Sequence, residues 1–340
     1  MHLERKKVVV TGGAGFIGSE LVRQLCEAGA YVTVVDNLVN GRAENLSDLP
    51  SDQLQLVVAD VRDASSLSRL LRDSEVVFHL ACLGVRHSIH APAENHEVNA
   101  SGTLGLLSLA RAASVPRFVY VSSSEVYGTA RWVPMTEEHP TFPTTVYGAS
   151  KLAGECYARA FHRSYQYPTV VVRPFNTYGP RCHHEGDSGE VIPKFLIRSM
   201  ARRPMVIFGD GAQTRDFTFV SDTASGILKA GFCDAAIGET VNLGHGDEIS
   251  INQLAEQIAR LLRLDSAPVT HDRPRPGDVL RLCADITKAR KLLGYAPLVT
   301  MEQGLTRLRQ WYLNSGSTPD ELLERELVRN WEPLETVTDA

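Results

Sequence analysis

Short apolar runs rich in β-branched residues recur through the first half of the chain, and helix-like segments separate them. The runs are apolar almost throughout, which is typical of strands that are covered on both faces of a sheet. Helical segments between them include 16–29 and 147–165. Repeated strand–helix units predict an α/β fold, a doubly wound parallel sheet with right-handed crossovers. The six runs are KKVVVTG, AYVTVVDN, LQLVVADV, EVVFHLAC, RFVYVSSS and TVVVRPF.

The pattern changes after about residue 176, where Gly, Pro and charged residues increase and the segments become irregular. This pattern predicts a smaller α/β lobe. Its expected helices cover 191–202, 222–231, 250–263, 285–293 and 300–314. The predicted organisation is a first domain over 1–178 and about 216–245, a second lobe over 179–215 and 246–315, and an acidic tail over 316–340. Part of the tail is expected to form an amphipathic helix, with Leu322, Leu323, Leu327 and Trp331 as its apolar residues. The remainder is expected to be mobile, and no chemical role is assigned to the tail.

Charge and composition narrow the possible partners. A formal net charge of −5 argues against nucleic acid or an anionic membrane as the main partner. No apolar run approaches the ~20 residues that a membrane span needs, and MHLERKKVVV enters a strand without an apolar signal segment, so a cytoplasmic protein is expected.

The six cysteines include no CxxC pair and are expected to be reduced thiols. Neither they nor the adjacent His183 and His184 predict a metal site.

A glycine-rich segment, VVVTGGAGFIG, joins the first strand to the first helix. Gly12, Gly15 and Gly18 permit a tight turn, let the backbone approach a pyrophosphate, and let the helix pack on the strand. The helix N-terminus then offers free N–H groups to the phosphates. With a strand before it and a helix after it, this pattern predicts a dinucleotide site in a Rossmann-type domain.

Acidic residues at the next strand ends refine the choice of dinucleotide. Asp36 lies at the usual distance from the glycines for a carboxylate that binds ribose hydroxyls, and its charge repels a 2′-phosphate, so NAD is favoured over NADP. Asp60 is expected to accept a hydrogen bond from the adenine amino group. The alternative is a helix N-cap, a role that Asp63 could fill instead. The predicted cofactor-binding residues are Gly12, Gly15, Phe16, Ile17, Gly18, Asp36, Asn37, Asp60, Val61, Leu80, Ala81, Asn99, Ser122, Tyr147 and Lys151.

The segment YGASK carries the most direct catalytic signal. Tyr147 and Lys151 are four residues apart and share one face of a predicted helix. The lysine charge close to the phenol, together with an oxidised nicotinamide, is expected to favour the phenolate. A tyrosine with a reference pKa of ~10 can then act as a base near neutral pH.

These motifs together resemble a known family. TGGAGFIG, YGASK, the serine-rich YVSSSEVYG and RPFNTYGP are similar to the extended short-chain dehydrogenase/reductases, and more narrowly to the NAD-dependent nucleotide-sugar epimerases and dehydratases. The resemblance covers about residues 6–314. It implies an enzyme that binds NAD and a nucleotide-diphosphate sugar. It also implies a homodimer formed through two helices, here 93–112 and 147–165.

The resemblance also implies residue roles. Ser123 would hydrogen-bond the sugar O4, Tyr147 would take the O4 proton, and Lys151 would hold the nicotinamide ribose. Asn99 would lie near the cofactor. Arg215 and Arg275 would bind the diphosphate through charge-assisted hydrogen bonds. Asp278 would orient Arg275 or contact the ligand sugar. The expected substrate-binding residues are Arg86, Ser124, Asn176, Arg215, Arg275 and Asp278.

Glu125 separates the reactions that the resemblance allows. All of them begin with hydride transfer from C4 to NAD, which leaves a 4-ketone. A 4-epimerase returns the hydride to the other face, a 4,6-dehydratase removes H5 and loses water across C5–C6, and a UDP-glucuronate decarboxylase loses carbon dioxide. We predict a 4,6-dehydratase in which Glu125 is the C5 base, with the 4-epimerase as the alternative and the decarboxylase third. Ser124 stands where many dehydratases have Asp, so Glu125 or water would have to protonate the leaving hydroxyl.

Two other classes of protein are disfavoured. Dinucleotide sensors of this fold commonly lack the Tyr/Lys pair, which is present here. A net dehydrogenase would accumulate NADH, whereas epimerases and dehydratases recycle their cofactor. The nucleotide base and the sugar stay open, because fold does not fix substrate.

Overall fold

The computed structural model describes residues 2–186, 188–265, 268–275 and 279–332. Each of the six apolar runs forms a strand, and the expected helices form to within a few residues at either end. The strands are, in chain order, β1 (Lys7–Thr11), β2 (Tyr31–Asp36), β3 (Leu54–Val58), β4 (Val76–His79), β5 (Arg117–Val121), β6 (Thr169–Pro174), β7 (Asn176–Tyr178), β8 (Met205–Phe208), β9 (Thr214–Arg215), β10 (Phe217–Phe219), β11 (Thr240–Leu243), β12 (Ile249–Ser250), β13 (Val269–Asp272) and β14 (Arg281–Leu282).

The α-helices have clear ends, several of them set by capping side chains such as Thr145 and Ser250. They are α1 (Phe16–Glu27), α2 (Ala64–Leu70), α3 (His87–His90), α4 (Pro92–His96), α5 (Gly102–Ala112), α6 (Val146–Tyr165), α7 (Val191–Met200), α8 (Val220–Phe232), α9 (Ile251–Leu261), α10 (Thr287–Leu293), α11 (Met301–Leu313) and α12 (Pro319–Leu323). Among the described residues, no helix combines the length and the apolar character that crossing a bilayer requires.

Seven parallel strands form the main sheet, in the order β11–β6–β5–β4–β1–β2–β3. The strand order reverses between β1 and β4. In an open parallel sheet such a reversal leaves a crevice at the carboxyl ends of the strands, where ligands bind. The predicted fold class, a doubly wound Rossmann-type sheet, is confirmed.

Both faces of this sheet are covered, which explains why the strands are apolar in both directions. Helices α1 and α8 cover one face, where Val8, Val10 and Phe78 are buried. Helices α2, α5 and α6 cover the other face, where Val9 and Phe118 are buried.

A second apolar core belongs to the smaller lobe. Helices α7, α9 and α11 pack around the parallel pair β8–β13. Helix α12 adds Leu323 to this core, and a capping box between Thr318 and Glu321 fixes where that helix begins. Trp331 is only 9% exposed. The helix expected in the tail forms over Pro319–Leu323, although Leu327 and Trp331 lie beyond its end. The expectation that the remainder is mobile is wrong for residues 324–332, which pack on the second lobe; residues 333–340 lie outside the described residues.

A buried ion pair fixes helix α6 on the sheet. The guanidinium of Arg173, on β6, donates to both carboxylate oxygens of Glu155 at 2.8 and 2.6 Å. Arg173 is 1% and Glu155 0% exposed. Arg173 also donates to the Tyr127 hydroxyl at 2.8 Å, and that hydroxyl donates to Asn242 on β11. The network thus joins the helix to two strands and to the loop after β5.

We predict that Glu155→Gln costs about 3–5 kcal/mol of unfolding free energy, because it leaves the buried Arg173 charge without its counter-ion. Chemical denaturation at neutral pH would measure the loss. Arg159 also contacts Glu155, at 3.4 Å, but it lies at the surface. Arg159→Gln is therefore the matched control and should cost below about 1 kcal/mol. Equal losses in the two variants would contradict the assigned role of the buried pair.

Candidate active site

The glycine-rich turn leaves no room for side chains. Gly12 has a φ of +71°, and a Cβ there would lie 2.6 Å from the backbone nitrogen of Ala81. A Cβ on Gly18 would lie 2.0 Å from the Gly12 carbonyl oxygen. Helix α1 begins after Gly15 without a side-chain cap. The N-terminal N–H groups of this 12-residue helix are therefore presented at the strand end, as a pyrophosphate site requires.

Asp36 is held rigidly at the end of β2. Its carboxylate accepts hydrogen bonds from the backbone nitrogens of Ala14 at 3.0 Å and Leu38 at 2.9 Å. Gly41 passes so close that a Cβ there would lie 2.7 Å from the carboxylate. The side chain is 7% exposed and faces the cavity at the crevice of the sheet.

That first cavity has a volume of about 370 Å³. It runs from the glycine turn to the end of β5 and contains most of the residues predicted to bind the cofactor. They are Gly12, Gly15, Phe16, Ile17, Gly18, Asp36, Asn37, Val61, Leu80, Ala81, Ser122, Tyr147 and Lys151. The Oγ atom of Ser122 is buried there without a hydrogen-bond partner among the described residues.

Asp60 lies beside this cavity, but it is not among the described residues that line it. Its carboxylate accepts from the Arg62 guanidinium at 2.8 and 2.9 Å and from Asn37 at 3.2 Å. These bonds lower the pKa of Asp60 to about 2. Asp63 caps helix α2, so the alternative role of Asp60 as the N-cap of this helix is not needed. The adenine contact of Asp60 stays a prediction.

Asn99 is likewise absent from the described lining of the cavity. It lies in a π-type turn, Glu97–Ser101, between α4 and α5. Its side chain is 1% exposed and bonds the backbone N–H and C=O of Leu83, Asn95 and Ser150. In this structure Asn99 braces the loop after β4 against helix α6.

Tyr147, Ser123 and Lys151 meet at one end of the first cavity. Ser123 ends the strand segment in extended conformation, and its hydroxyl accepts from the backbone nitrogen of Glu125 at 3.2 Å. The Ser123 side chain is close enough to the Tyr147 hydroxyl to lower its pKa. Lys151 donates to the Val121 carbonyl at 2.6 Å and lies over the Tyr120 ring at 4.7 Å.

Burial is the main influence on the pKa values of Tyr147 and Lys151. It raises the pKa of Tyr147 well above its usual value, with smaller contributions from Cys82 and Glu125, while the hydrogen bond with Ser123 acts in the opposite direction. Burial also lowers the pKa of Lys151. In the protein alone, desolvation of the phenolate is the largest effect on Tyr147, and the expectation that Lys151 and an oxidised nicotinamide together favour the phenolate stays a prediction.

A second cavity of about 350 Å³ continues from the first. Eight residues line both cavities: Val85, Arg86, Ser123, Tyr147, Pro174, Phe175, Thr177 and Glu190. They form the junction between the two cavities. Five of the six predicted substrate-binding residues line the second cavity, namely Arg86, Ser124, Asn176, Arg215 and Arg275. The sixth, Asp278, lies outside the described residues.

Glu125 lines the second cavity in a 3₁₀ turn, Ser124–Val126. The backbone of Gly148, one residue after Tyr147, packs on the Glu125 carbonyl, where a Cβ would lie 2.7 Å away. The start of helix α6 and the acidic turn are therefore held together. The Oδ1 atom of Asn176 is buried without a hydrogen-bond partner among the described residues.

Glu190 is a candidate functional residue that the sequence did not reveal. It lies at the junction of the cavities, immediately before helix α7. Burial raises the pKa of Glu190 to about 7, partly offset by Arg86. Burial lowers the pKa of Lys194, one turn further along and in the same cavity, to about 7. The only sequence signal was an acid directly before an apolar helix, which is common in ordinary proteins.

The first cavity fits NAD. The glycine turn would be filled by any Cβ, the helix N-terminus faces it, and a fixed carboxylate stands where the adenosine ribose would lie. The buried Ser122 hydroxyl, which has no hydrogen-bond partner in the described part of the chain, lines the same cavity as Tyr147 and Lys151. These features match the donor and acceptor pattern of a dinucleotide.

Comparison with known proteins agrees with this geometry. Residues 9–308 match the family described as GDP-mannose 4,6 dehydratase. The chain is 36% identical to a putative UDP-glucose 4-epimerase of Methanocaldococcus jannaschii, over 92% of this chain and 100% of that protein.

Two solved structures extend the comparison. The UDP-N-acetylglucosamine 4-epimerase from Methanobrevibacter ruminantium has a TM-score of 0.87 and 34% identity, covering 91% of this chain and 99% of that one. A dTDP-glucose 4,6-dehydratase from Streptomyces venezuelae, solved with NAD bound, has a TM-score of 0.84 and 36% identity, covering 91% and 97%. The chain is therefore an NAD-dependent enzyme and belongs to the extended short-chain dehydrogenase/reductases, in the family of nucleotide-sugar epimerases and dehydratases.

Proposed function

We propose that this enzyme is a nucleotide-sugar 4,6-dehydratase. The observation that carries the proposal is the position of Glu125, which lines the substrate cavity two residues after Ser123 and against the start of the helix that bears Tyr147. A 4-epimerase needs no base beyond the tyrosine, whereas a dehydratase needs a carboxylate at C5. Ser123 and Tyr147 also line that cavity.

The residues would act in sequence on one bound sugar. When bound, NAD accepts the hydride from C4 and later returns it at C6. Ser123 orients O4 while Tyr147 removes the O4 proton, and Lys151, next to the same end of the cavity, positions the cofactor ribose. The resulting 4-ketone acidifies the C5–H bond, and Glu125 removes that proton.

The hydroxyl that leaves C6 needs a proton, and Glu190 is the group that we propose to supply it. A carboxyl whose pKa is about 7 holds its proton in a large fraction of molecules at neutral pH. The proton and the hydroxyl leave as water, and the C5=C6 double bond accepts the hydride at C6 and a proton at C5. Glu190 would thus perform the task for which the aspartate is missing at Ser124.

The positively charged residues that line the second cavity support a substrate that binds there through a nucleotide diphosphate. Arg215 and Arg275 both line it, and the amide oxygen of Asn176 is buried there without a partner among the described residues. Guanidinium groups bind phosphate oxygens through paired, charge-assisted bonds.

A 4-epimerase is the second candidate. The observation that favours it is the similarity to the M. jannaschii and M. ruminantium proteins, whose names are those of 4-epimerases. The same Ser123, Tyr147 and Lys151 would serve both reactions. Decarboxylation of a glucuronate is the third possible reaction of the same 4-ketone.

A homodimer is also proposed. Leu104 on α5 and Tyr165 on α6 are large apolar side chains that are 38% and 52% exposed. They lie on the two helices that the family resemblance assigns to subunit contact.

We predict that Glu125→Gln lowers dehydration by about 10²–10⁴-fold, as expected for loss of a general base. A panel of nucleotide sugars would be incubated with the enzyme in D₂O, and the products examined by mass spectrometry for loss of water and for deuterium at C5. Tyr147→Phe should abolish every reaction, and the exposed Glu138→Gln is the matched control. Full dehydration by Glu125→Gln would exclude its role as the C5 base. Products of unchanged mass and altered sugar would favour the epimerase.

We predict that turnover falls as the pH rises through about 7, because Glu190 then loses the proton that it must donate. The variant Glu190→Gln should turn over slowly and lack this limb of the pH profile of kcat. An unchanged profile at an unchanged rate would contradict the acid role.

A stability measurement checks the titration of Glu190 independently of activity. The folded protein holds this proton more strongly than the unfolded chain, whose carboxyl has a pKa of 4.5. The wild type should therefore lose stability relative to Glu190→Gln as the pH rises from 4.5 to about 7. Melting temperatures of the two proteins across this range would show a growing difference.

We predict that Asp36→Ala narrows the preference for NAD over NADP, because it removes the charge that repels a 2′-phosphate. Isothermal titration of both dinucleotides would give the ratio of dissociation constants. Asp60→Asn is the matched acidic control at the same edge of the sheet and should leave the ratio unchanged. An unchanged ratio in Asp36→Ala would show that the discrimination lies elsewhere.

A further inference from the structure

The segment after α12 reaches the substrate cavity from outside the part of the chain that matches the family, which ends at residue 308. We call residues 325–332 the C-terminal strap. Glu326, Val328 and Trp331 of the strap line the second cavity together with Arg215 and Arg275. The strap is thus a wall of the cavity.

Specific polar contacts hold the strap in place on helix α7. The backbone nitrogen of Gly186 donates to the Arg325 carbonyl at 2.8 Å, and Lys194 donates to the Leu327 carbonyl at 2.6 Å. Arg198 donates to the Glu326 carboxylate at 2.9 Å. The strap is therefore anchored on both sides of the point where its side chains face the cavity.

The far end of the strap is fixed as strongly. Arg329 donates to both carboxylate oxygens of Asp272, at 2.8 and 2.9 Å. Asn330 is 2% exposed and donates to the Gly189 carbonyl at 3.0 Å. Gly189 precedes Glu190, so the strap also contacts the turn that carries the proposed acid.

Trp331 forms an aromatic corner with Phe208 at one end of the cavity. The two rings are 4.5 Å apart and almost perpendicular, at 87°. The guanidinium carbon of Arg275 lies 5.1 Å from the Trp331 ring centre and 5.5 Å from that of Phe208. Phe208, Arg275 and Trp331 line the second cavity and are absent from the described lining of the first.

The order of groups in the substrate decides what this corner would receive. The sugar must lie at the junction with Tyr147, and the diphosphate at the arginines. The nucleoside follows on the side of the arginines away from the junction. A nucleobase presents flat faces that pack well on aromatic rings, whatever its hydrogen-bonding pattern.

We propose that the C-terminal strap is part of the nucleotide site and that Trp331 is a wall against which the nucleobase packs. This inference rests on the proposed nucleotide-diphosphate sugar substrate, and it holds for either the dehydratase or the epimerase. The strap makes nucleotide affinity in this chain depend on residues beyond the family match.

Isothermal titration of the full-length, NAD-loaded enzyme tests the inference. The probes are UDP, dTDP, GDP and CDP, each in turn, and inorganic pyrophosphate, which has the diphosphate but no base. Trp331→Ala should weaken the best-bound nucleotide about tenfold or more, the size expected for one lost base–aromatic contact, and leave pyrophosphate binding unchanged. In turnover, KM should rise while kcat is retained.

Intrinsic fluorescence gives a second measurement that needs only conservative variants. The nucleotide that binds best should change tryptophan emission in the wild type and in Trp311→Phe, whose indole does not line either cavity among the described residues. The change should be lost in Trp331→Phe, although titration still detects binding. Pyrophosphate should produce no such change.

The outcomes separate this inference from the function that it rests on. Equal nucleotide affinity in the wild type and Trp331→Ala, or an emission change that survives in Trp331→Phe, would overturn the role of the strap and leave the nucleotide-sugar proposal standing. If the wild type bound none of the four nucleotides, the substrate class would fail and the inference with it. An equal loss of affinity for pyrophosphate would make Trp331 a support for the arginines and overturn its contact with the base.

Discussion

The buried pair between Arg173 and Glu155 is the constraint on which the active site depends, because it fixes the rotation of helix α6. Tyr147, Lys151 and Glu155 follow one another at intervals of four residues and so share one face of that helix. Glu155 binds the sheet, which directs the other two side chains to the carboxyl ends of the strands. The Tyr120 hydroxyl, which donates to the Lys151 carbonyl at 3.1 Å, sets the height of the helix over β5. Burying a charge pair costs desolvation free energy. In return, the pair requires one defined geometry between helix and sheet, which an apolar contact does not.

This anchor also bears on the charge of the proposed base, Tyr147, in the protein alone. Helix α6 packs closely on the sheet, which buries Lys151 and leaves Tyr147 half-buried at the cavities, and desolvation opposes charge on each of them. Lys151 meets a carbonyl oxygen and an aromatic face, which stabilise its charge. In the proposed reaction, removal of the sugar O4 proton by Tyr147 would therefore need a further positive charge near the phenol, which the oxidised nicotinamide of bound NAD would supply.

The sequence predicted the fold and the first cavity well because each signal there is local. The apolar strand, the glycine turn and the acid at the end of the next strand all lie in one strand–helix–strand unit, from Lys7 to Asp36. Asn99 is a less local case: its side chain bonds the backbone of Leu83, which lines the first cavity, and its place near the cofactor stays a prediction. Glu190 and Trp331 could not be found, since the first matters through Arg86 and the second through Phe208, each more than 100 positions away in sequence.

The first cavity holds the residues that an epimerase and a dehydratase would both use, and the second holds residues that would distinguish the two reactions. Most residues around the first cavity come from the part of the chain between β1 and the end of β5, and from helix α6, and they would perform the same oxidation at C4 in an epimerase or a dehydratase. In the proposed dehydratase, the steps after the ketone has formed would depend on groups that reach it from the second lobe and from the turn after β5. Glu190 stands at the start of α7, and the C-terminal strap is anchored to the turn just before it through Gly189. A change in how the strap is seated would therefore reach the proposed acid directly, so nucleotide recognition and the fate of the ketone share one piece of structure.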